Sequence, residues 1–440
     1  MSSLFFFALP LVLCALPELR AERFSCAGHM PSHIAPGSAA KLAGGREEKR
    51  SSTEPVHALV IFARFADEEA SGSNIPEFAD DLFKADLPGS FAHFYRTMSG
   101  GQFTATGTVL PQRYSSQQPA AAYQIQEPGR DGLYGQFVQE ILAQVDRGVD
   151  FGLFDNDGPD GVPNSGDDDG VVDYIFVNVR STPHGFLRGG ATGKGNLGFA
   201  LYAAADRRPD GTPIYVNGTT DHGAIQREGS FAQTVGSMAH EFGHSLGLPD
   251  LYDLGYDNPA EDSAGIGHWG LMGWGAHGWN GDDGPVAFCA WSLEQLGWIG
   301  RDNDRLVEAN RDTVGLVVED LLQGGLVYRI PLRIQDGGRA WLDEEYLLLE
   351  QRSRASSFYR RSVPAEGLLV WHVRSQAQTN IDERRKAVDL ICADGLYRDA
   401  GYPEGALADG LHGRDNLDFW AHDAAYNQTH NGNLGDATDP

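Results

Sequence analysis

The sequence predicts an α+β protein, in which helices and strands alternate up to about residue 300 and strands dominate afterwards. Apolar residues recur at helical spacing in 91–98 and 133–145. Short continuous apolar runs, such as 56–62 and 174–179, are typical of buried strands. Together these patterns predict one mixed domain followed by a β-rich C-terminal portion.

The start of the chain predicts export. Residues 4–16 form an uncharged apolar run, long enough for the core of a signal peptide and too short to span a bilayer. We therefore expect a signal peptide at 1–21 and a secreted, extracellular protein. Residues 22–55 are rich in Ser, Ala, Gly and charge, which is typical of a pro-segment or linker.

The composition excludes some kinds of partner. The chain has 34 basic and 61 acidic residues, a net charge of -27. This charge disfavours nucleic acids and anionic membrane surfaces, and it is compatible with calcium. We expect no nucleic-acid partner, no stable membrane association and a monomer.

The first strand, at 56–62, is expected to open a domain that extends over 56–300. Ser90 caps the helix 91–98, and Gly100 and Gly101 end it. The apolar faces of the two predicted helices contain Phe91, Phe94, Tyr95 and Met98 in the first, and Leu133, Phe137, Ile141 and Val145 in the second.

The segment 155–173 alternates acidic residues with glycine turns, as short calcium-binding loops do. Without cations its carboxylates would repel one another. We expect one or two structural calcium ions in two groups of ligands, which are Asp155, Asp157 and Asp160, and Asp167, Asp169 and Asp173. Because a strand follows directly, bound calcium would fix this loop to the sheet. Further on, 197–202 is a candidate edge strand for an extended peptide.

An H-E-x-x-H motif lies at 240–244. Residues four apart share one face of a helix, so His240 and His244 can bind one metal ion, and Glu241 can take a proton from the attacking water. Gly247 is placed to end the helix in a left-handed turn, which lets Asp250 return as a third ligand. A fourth position stays open, which is the arrangement of a hydrolase.

Residues 240–250 spell H-E-x-x-H-x-x-G-x-x-D, and G-I-G-H-W-G-L-M-G-W-G at 265–275 and W-S-L-E-Q-L-G-W at 291–298 follow. Together these stretches resemble the immune inhibitor A family of secreted metalloproteases, the M6 peptidases of the metzincin group. The resemblance implies a zincin-like catalytic domain with a twisted mixed sheet and an active-site helix. It also implies zinc on His240, His244 and Asp250, Glu241 as general base, and Met272 in the Met-turn under the site.

The donor that stabilises the transition-state oxygen stays open. Several metzincin groups have a Tyr two positions after the Met, where this chain has Trp274. The alternatives are Tyr252, Tyr256, His268 and His277.

Cysteines offer one further hypothesis. Because a thiolate is a strong zinc ligand, Cys26 in the pro-segment could occupy the open zinc position until the segment is removed. The alternative is a plain unpaired thiol. For Cys289 and Cys392 we favour small buried hydrophobic residues over a disulfide.

The region 301–440 is predicted to be a β-rich part of the catalytic unit, with strands at 316–318, 325–330, 346–350 and 367–373. His372 lies within a predicted strand and is interpreted as structural. The tail 435–440 has no terminating element, which favours a truncated chain that lacks accessory domains.

The sequence thus predicts a secreted zinc endopeptidase that hydrolyses peptide bonds in extracellular proteins or peptides. One alternative is another zinc hydrolase on the same fold that requires a modified protein. The other is a catalytically silent, calcium-stabilised extracellular binding module, and the intact Glu241 argues against it.

Overall fold

A computed structural model describes most of the chain between residues 50 and 393, with short segments on either side. The proposed signal peptide, most of the proposed pro-segment and the tail lie outside the described residues. The described ranges are 24–26, 50–69, 74–127, 129–254, 265–300, 303–309, 311, 313–332, 335–336, 339–340, 345–381, 386–393 and 419–430.

Helices and strands alternate up to residue 300, as predicted. The strands of this part are β1 (Val56–Arg64), β2 (Ala105–Ser115), β3 (Tyr174–Val179), β4 (Gly193–Lys194), β5 (Leu201–Arg207), β6 (Pro213–Asn217) and β7 (Gly223–Arg227). The helices are α1 (Phe91–Met98), α2 (Tyr134–Val145), α3 (Phe231–Ser245) and α4 (Ala290–Gln295).

Five of these strands form a mixed sheet in the order β2-β1-β3-β7-β4. The first four are parallel, and β4 runs antiparallel to β7 at the edge. β5 and β6 form a separate antiparallel hairpin. The predicted edge strand at 197–202 overlaps β5 only at its end, and β5 belongs to this hairpin. The two edges of the main sheet are β2 and β4.

Strand β1 explains why the sheet is covered on both faces. Successive side chains of a strand point to opposite faces, and β1 is apolar at almost every position. Ala58, Val60 and Phe62 enter the core that contains α1 and α3, whereas Leu59, Ile61 and Ala63 enter the core that contains α2. The sheet is thus the middle layer between helices.

The later part of the chain is rich in strands, as predicted. Its elements are β8 (Leu306–Glu308), β9 (Val327–Pro331), β10 (Gln335–Asp336), β11 (Arg339–Ala340), β12 (Glu345–Arg352), β13 (Gly367–Arg374), β14 (Val388–Leu390), β15 (Trp420–Ala421) and α5 (Ala424–His430). Six of these strands form a sheet in the order β14-β13-β12-β9-β8, with β15 paired to β13.

One predicted strand of this region is wrong. Residues 316–318 have no regular structure, and Val317 is 69% exposed. A continuous apolar run predicts a strand only when a neighbouring strand and a core are available to it. Nε2–H of His372 in β13 donates to Oε2 of Glu345 at 2.9 Å, which agrees with a structural role.

Two further features concern cysteines and membranes. Within the described residues Cys26, Cys289 and Cys392 are all buried and none of them forms a disulfide, as expected for Cys289 and Cys392. In the same part of the chain, none of the helices has both the length and the apolar character needed to cross a bilayer.

Candidate metal centre

Helix α3 carries the H-E-x-x-H motif and is fixed at both ends. Ser230 caps its first turn and forms a capping box with Gln233. The helix ends at Ser245, and Gly247 has φ +88°, the left-handed turn predicted for it. This turn reverses the chain, so that Asp250 comes back beside the helix.

The three predicted ligands converge. The Nε2 atom of His240 lies 3.0 Å from Oδ1 of Asp250, and the Nε2 atom of His244 lies 3.6 Å from the same oxygen. All three side chains are almost completely buried. Their donor atoms, with the sulfur of Cys26, lie within 4.8 Å of one another.

The imidazole tautomers are set by backbone carbonyls. Nδ1–H of His240 donates to the carbonyl of Leu271 at 2.8 Å, and Nδ1–H of His244 donates to the carbonyl of Leu248 at 2.8 Å. Each Nε2 therefore presents its lone pair to the centre. Met272, the next residue after Leu271, is buried against the helix at Gly243, where an added Cβ would lie 2.6 Å from its sulfur.

Glu241 lies beside the donor atoms and is completely buried. Its Oε1 has no hydrogen-bond partner among the described residues. A Cβ at Gly193 of β4 would overlap this oxygen, so only glycine leaves room for the carboxylate. Burial raises the pKa of Glu241 to about 8.

Residues 24–26 fill the space in front of these groups. The Sγ atom of Cys26 lies 3.4 Å from Oε2 of Glu241 and 3.6 Å from Nε2 of His244. Cys26 also forms a parallel bridge with Gly193, the first residue of the edge strand β4. This isolated bridge places Cys26 beside the edge of the main sheet, although 167 residues separate it from its partner.

The candidate donors to the transition-state oxygen have different surroundings in the structure. The hydroxyl of Tyr252 accepts a hydrogen bond from the backbone N–H of Cys26 at 3.3 Å. Nε2 of His277 lies 3.1 Å from the Ser237 hydroxyl. His268 contacts the carbonyl of Gly278 at 3.0 Å. Tyr256 lies outside the described residues.

The donor set fits a zinc ion. Two neutral imidazoles and a carboxylate, with or without a thiolate, form the ligand set that zinc prefers in tetrahedral sites. Glu241 lies next to this set and is not one of the clustered donor residues.

The acidic segment forms a second cluster, grouped differently from the prediction. Carboxylate oxygens of Asp155, Asp157 and Asp169 lie within 4.8 Å of one another. Asp155 is completely buried, and its Oδ2 has no hydrogen-bond partner among the described residues. Burial, followed by the charges of Asp169 and Asp168, raises the pKa of Asp155 to about 7.

The other three predicted calcium ligands lie elsewhere in the loop. Asp160 and Asp167 accept hydrogen bonds from the loop itself, from Val162 N–H and Asp160 N–H respectively. Asp173 is buried next to Arg50, which donates to its carbonyl at 2.6 Å. The alternation of acidic residues and glycines thus predicted the loop, but it did not predict which of its aspartates lie together.

Two residues of the metal centre were not predicted from the sequence. Phe24 and Gly193 both lie at the centre, but one belongs to the proposed pro-segment and the other to a two-residue strand. The alternation Phe24-Ser25-Cys26 was the available signal, since it places Phe24 and Cys26 on the same face of an extended chain.

Comparisons with known proteins agree with this geometry. The sequence profile of the family described as immune inhibitor A peptidase M6, catalytic domain, matches residues 78–299, half of the chain. The chain is 29% identical over 225 residues to pre-pro-metalloprotease PrtV of Vibrio cholerae serotype O1, covering 47% of this chain and 23% of the relative.

It is also 28% identical over 204 residues to immune inhibitor A of Bacillus thuringiensis subsp. alesti, covering 42% of this chain and 28% of the relative. The aligned part thus spans about a quarter of the length of these curated relatives. The profile match includes α3, Asp250 and Met272. The chain belongs to the immune inhibitor A family of metalloproteases, the M6 peptidases.

Proposed function

We propose that this chain is a secreted, monomeric zinc endopeptidase that hydrolyses peptide bonds in extracellular proteins. The observation that carries the proposal is the convergence of His240, His244 and Asp250 with the buried carboxylate of Glu241 next to them. The domain at 56–300 would be zincin-like, and the β-rich part at 301–440 would complete the catalytic unit.

His240, His244 and Asp250 would hold the zinc ion. When bound, the ion supplies a Lewis acid that polarises the scissile carbonyl and acidifies water. The carbonyls of Leu271 and Leu248 keep both imidazoles in the tautomer that binds metal. Met272 packs under the helix and limits its movement.

Glu241 would act as the general base. Its Oε2 lies 4.0 Å from Nε2 of His244. There the carboxylate would accept the proton of the attacking water and pass it to the leaving amine. Tyr252 is the best-placed candidate to donate a hydrogen bond to the developing oxyanion, because its hydroxyl already contacts the chain that occupies the cleft.

Replacing Glu241 by Gln in the Cys26→Ala chain, with that chain as the reference, tests this role. The amide keeps the size of the side chain but cannot take a proton, so we expect activity to fall by about 100-fold to 10,000-fold while the zinc content stays at one ion per chain. Cleavage of a denatured protein and metal analysis are the two measurements. Full activity in Glu241→Gln would contradict the role, and loss of zinc would mean that Glu241 is a ligand.

We further propose that the segment around Cys26 keeps the enzyme latent. The sulfur lies within 3.6 Å of a proposed ligand, and the segment fills the cleft along β4. The name of the Vibrio relative describes a pre-pro form, which supports a signal peptide at 1–21 and a pro-segment at 22–55 in this chain.

The acidic cluster is proposed to bind one structural calcium ion through Asp155, Asp157 and Asp169. The support is the proximity of the three carboxylates, together with the buried Oδ2 of Asp155, which lacks a hydrogen-bond partner among the described residues. A cation with oxygen ligands would neutralise three neighbouring carboxylates at once. The ion would hold the loop against the start of β3.

A further inference from the structure

Phe24 is a second side chain through which the proposed pro-segment enters the cleft. It is only 6% exposed and belongs to the same core as α3. Its ring centroid lies 4.6 Å from that of His240 and 5.3 Å from that of His277. A residue of the proposed pro-segment thus fills a pocket directly beside a proposed zinc ligand.

The backbone of residues 24–26 forms hydrogen bonds that do not depend on the side chains of the segment. Thr192 N–H donates to the carbonyl of Ser25 at 2.7 Å, and Ser25 N–H donates to the Thr192 hydroxyl at 3.1 Å. Such strand addition holds a peptide without selecting its side chains. Selectivity must then come from the pockets that receive alternate residues.

Phe24 and Cys26 are alternate residues of this extended segment. Residues two apart in a strand lie about 7 Å from each other and on the same face. Cys26 points to the donor atoms, and Phe24 occupies the neighbouring position. The pocket that holds Phe24 therefore lies two residue positions along the segment from Cys26, whose sulfur marks the donor atoms where the peptide bond would be cleaved.

From this geometry we infer that the pocket occupied by Phe24 is the main specificity pocket of the enzyme, and that it selects peptides with an aromatic or large aliphatic side chain near the scissile bond. The inference rests on the proposed peptidase function. It adds the substrate class and names His277 as a specificity-determining residue.

The surroundings of the pocket agree with an apolar occupant. His277 is 5% exposed and is held by the Ser237 hydroxyl of α3. The turn that carries it lies close to the helix, because a Cβ at Gly236 would overlap the carbonyl of Ala276. A rigid wall of this kind favours a flat ring, whereas a charged side chain would lose its hydration there.

The first test measures the seating of Phe24 without any need for activity. In the full chain, alkylation of the Cys26 thiol, located by peptide mass mapping, should be slow. Phe24→Ala should accelerate it at least about 10-fold, because burial of the ring stabilises the docked segment. Phe24→Leu should stay close to the wild type, and Phe199→Ala, an aromatic truncation in the other core, should leave the rate unchanged.

The second test profiles cleavage of a peptide library by the zinc-loaded Cys26→Ala chain. One position close to the scissile bond should require Phe, Tyr, Leu or Met, and Ala there should lower kcat/KM by about 10-fold to 100-fold. His277→Ala should shift the preference towards Trp, whereas His372→Ala, in the distant sheet, should not.

The outcomes separate this inference from the proposed function. Efficient cleavage with no preference, or with a preference for charged residues, would overturn the specificity pocket and leave the peptidase intact. An unchanged alkylation rate in Phe24→Ala would overturn the seating of Phe24. Absence of cleavage in every zinc-loaded form would contradict the peptidase function itself, and with it the substrate class.

Discussion

At the residue scale, the proposal depends on which carboxylate completes the set of zinc ligands. Asp250 lies 3.0 Å and 3.6 Å from the Nε2 atoms of the two motif histidines. Asp253 follows three residues later and is the alternative in the sequence. The geometry favours Asp250, because its oxygen meets both nitrogens.

We expect Asp250→Ala to lower zinc affinity by at least about 100-fold, since even residues that only orient a ligand cost 10-fold to 100-fold. Asp253→Ala is the matched control and should retain the affinity. Competition with a fluorescent zinc chelator measures both variants. Unchanged affinity in Asp250→Ala would make another residue the third ligand.

The residues of the centre differ in how well the sequence predicts them. His240, Glu241, His244 and Asp250 lie within eleven positions of one another, so helix spacing and one glycine turn place them. The contact of Cys26 with Glu241 spans 215 residues. Cys26 was predicted only because a thiolate is a strong zinc ligand. Gly193 could not be predicted, because its contribution is the space that a missing side chain leaves for Glu241.

At the element scale, the segment 155–173 and strand β3 form one unit. The cluster of Asp155, Asp157 and Asp169 closes the loop immediately before the central strand of the catalytic sheet. Arg50 contacts the same region through the carbonyl of Asp173. Calcium should therefore stabilise the sheet as well as the loop.

Titration of calcium into chelator-treated protein should give binding of one ion and a higher Tm, whereas magnesium should substitute poorly because three clustered carboxylates suit the larger ion. Asp155→Asn should abolish the effect. Asp160→Asn, in the same loop but outside the cluster, should preserve it. If the wild type shows no heat of binding and no change in Tm, the proposed calcium site is wrong.

Long elements were easier to predict than short ones. The periodicity of α1, α2, β1 and β3 gave their positions, because each buries a regular face. The two-residue strand β4 has too few positions for a pattern. Its role at the sheet edge follows from antiparallel pairing with β7, which only the tertiary structure supplies.

At the scale of the whole molecule, the C-terminal sheet supports the metal centre from behind. Arg352 of β12 donates to the carbonyls of Trp269 and Phe288 at 3.1 and 3.0 Å. Glu350, two residues earlier, accepts from the N–H of Ala290 at 3.0 Å and pairs with Arg352 and Arg360. The loop that contains Met272 is thus bonded to the second sheet.

Breaking this buried network should destabilise the protein strongly. Glu350→Gln leaves two buried guanidinium groups without their shared counter-charge, and we expect a loss of about 3–5 kcal/mol in the free energy of unfolding. Asp81→Asn, which removes an exposed ion pair with Lys84, is the control and should have no measurable effect. Urea denaturation compares them, and equal stability of Glu350→Gln would refute the structural role.

The same network predicts that the stability of the folded protein decreases at acidic pH. Burial alone would raise the pKa of Asp320, but the charge of Arg360 and its hydrogen bond lower it below 3.8. A lowered pKa in the folded state means that this ion pair stabilises the protein above about pH 4 and stops doing so as the pH falls further. Asp320→Asn should therefore reduce the loss of stability seen on acidification below pH 4.

The most direct test of the central claim combines metal analysis with cleavage of casein, for the wild-type chain and for Cys26→Ala, with and without a zinc chelator. We predict about one zinc ion per chain in both, chelator-sensitive cleavage by Cys26→Ala, and much slower cleavage by the unprocessed wild type. Equal activity of the two chains would contradict latency through Cys26. A chain without zinc, or cleavage that resists the chelator, would contradict the assignment of His240, His244 and Asp250.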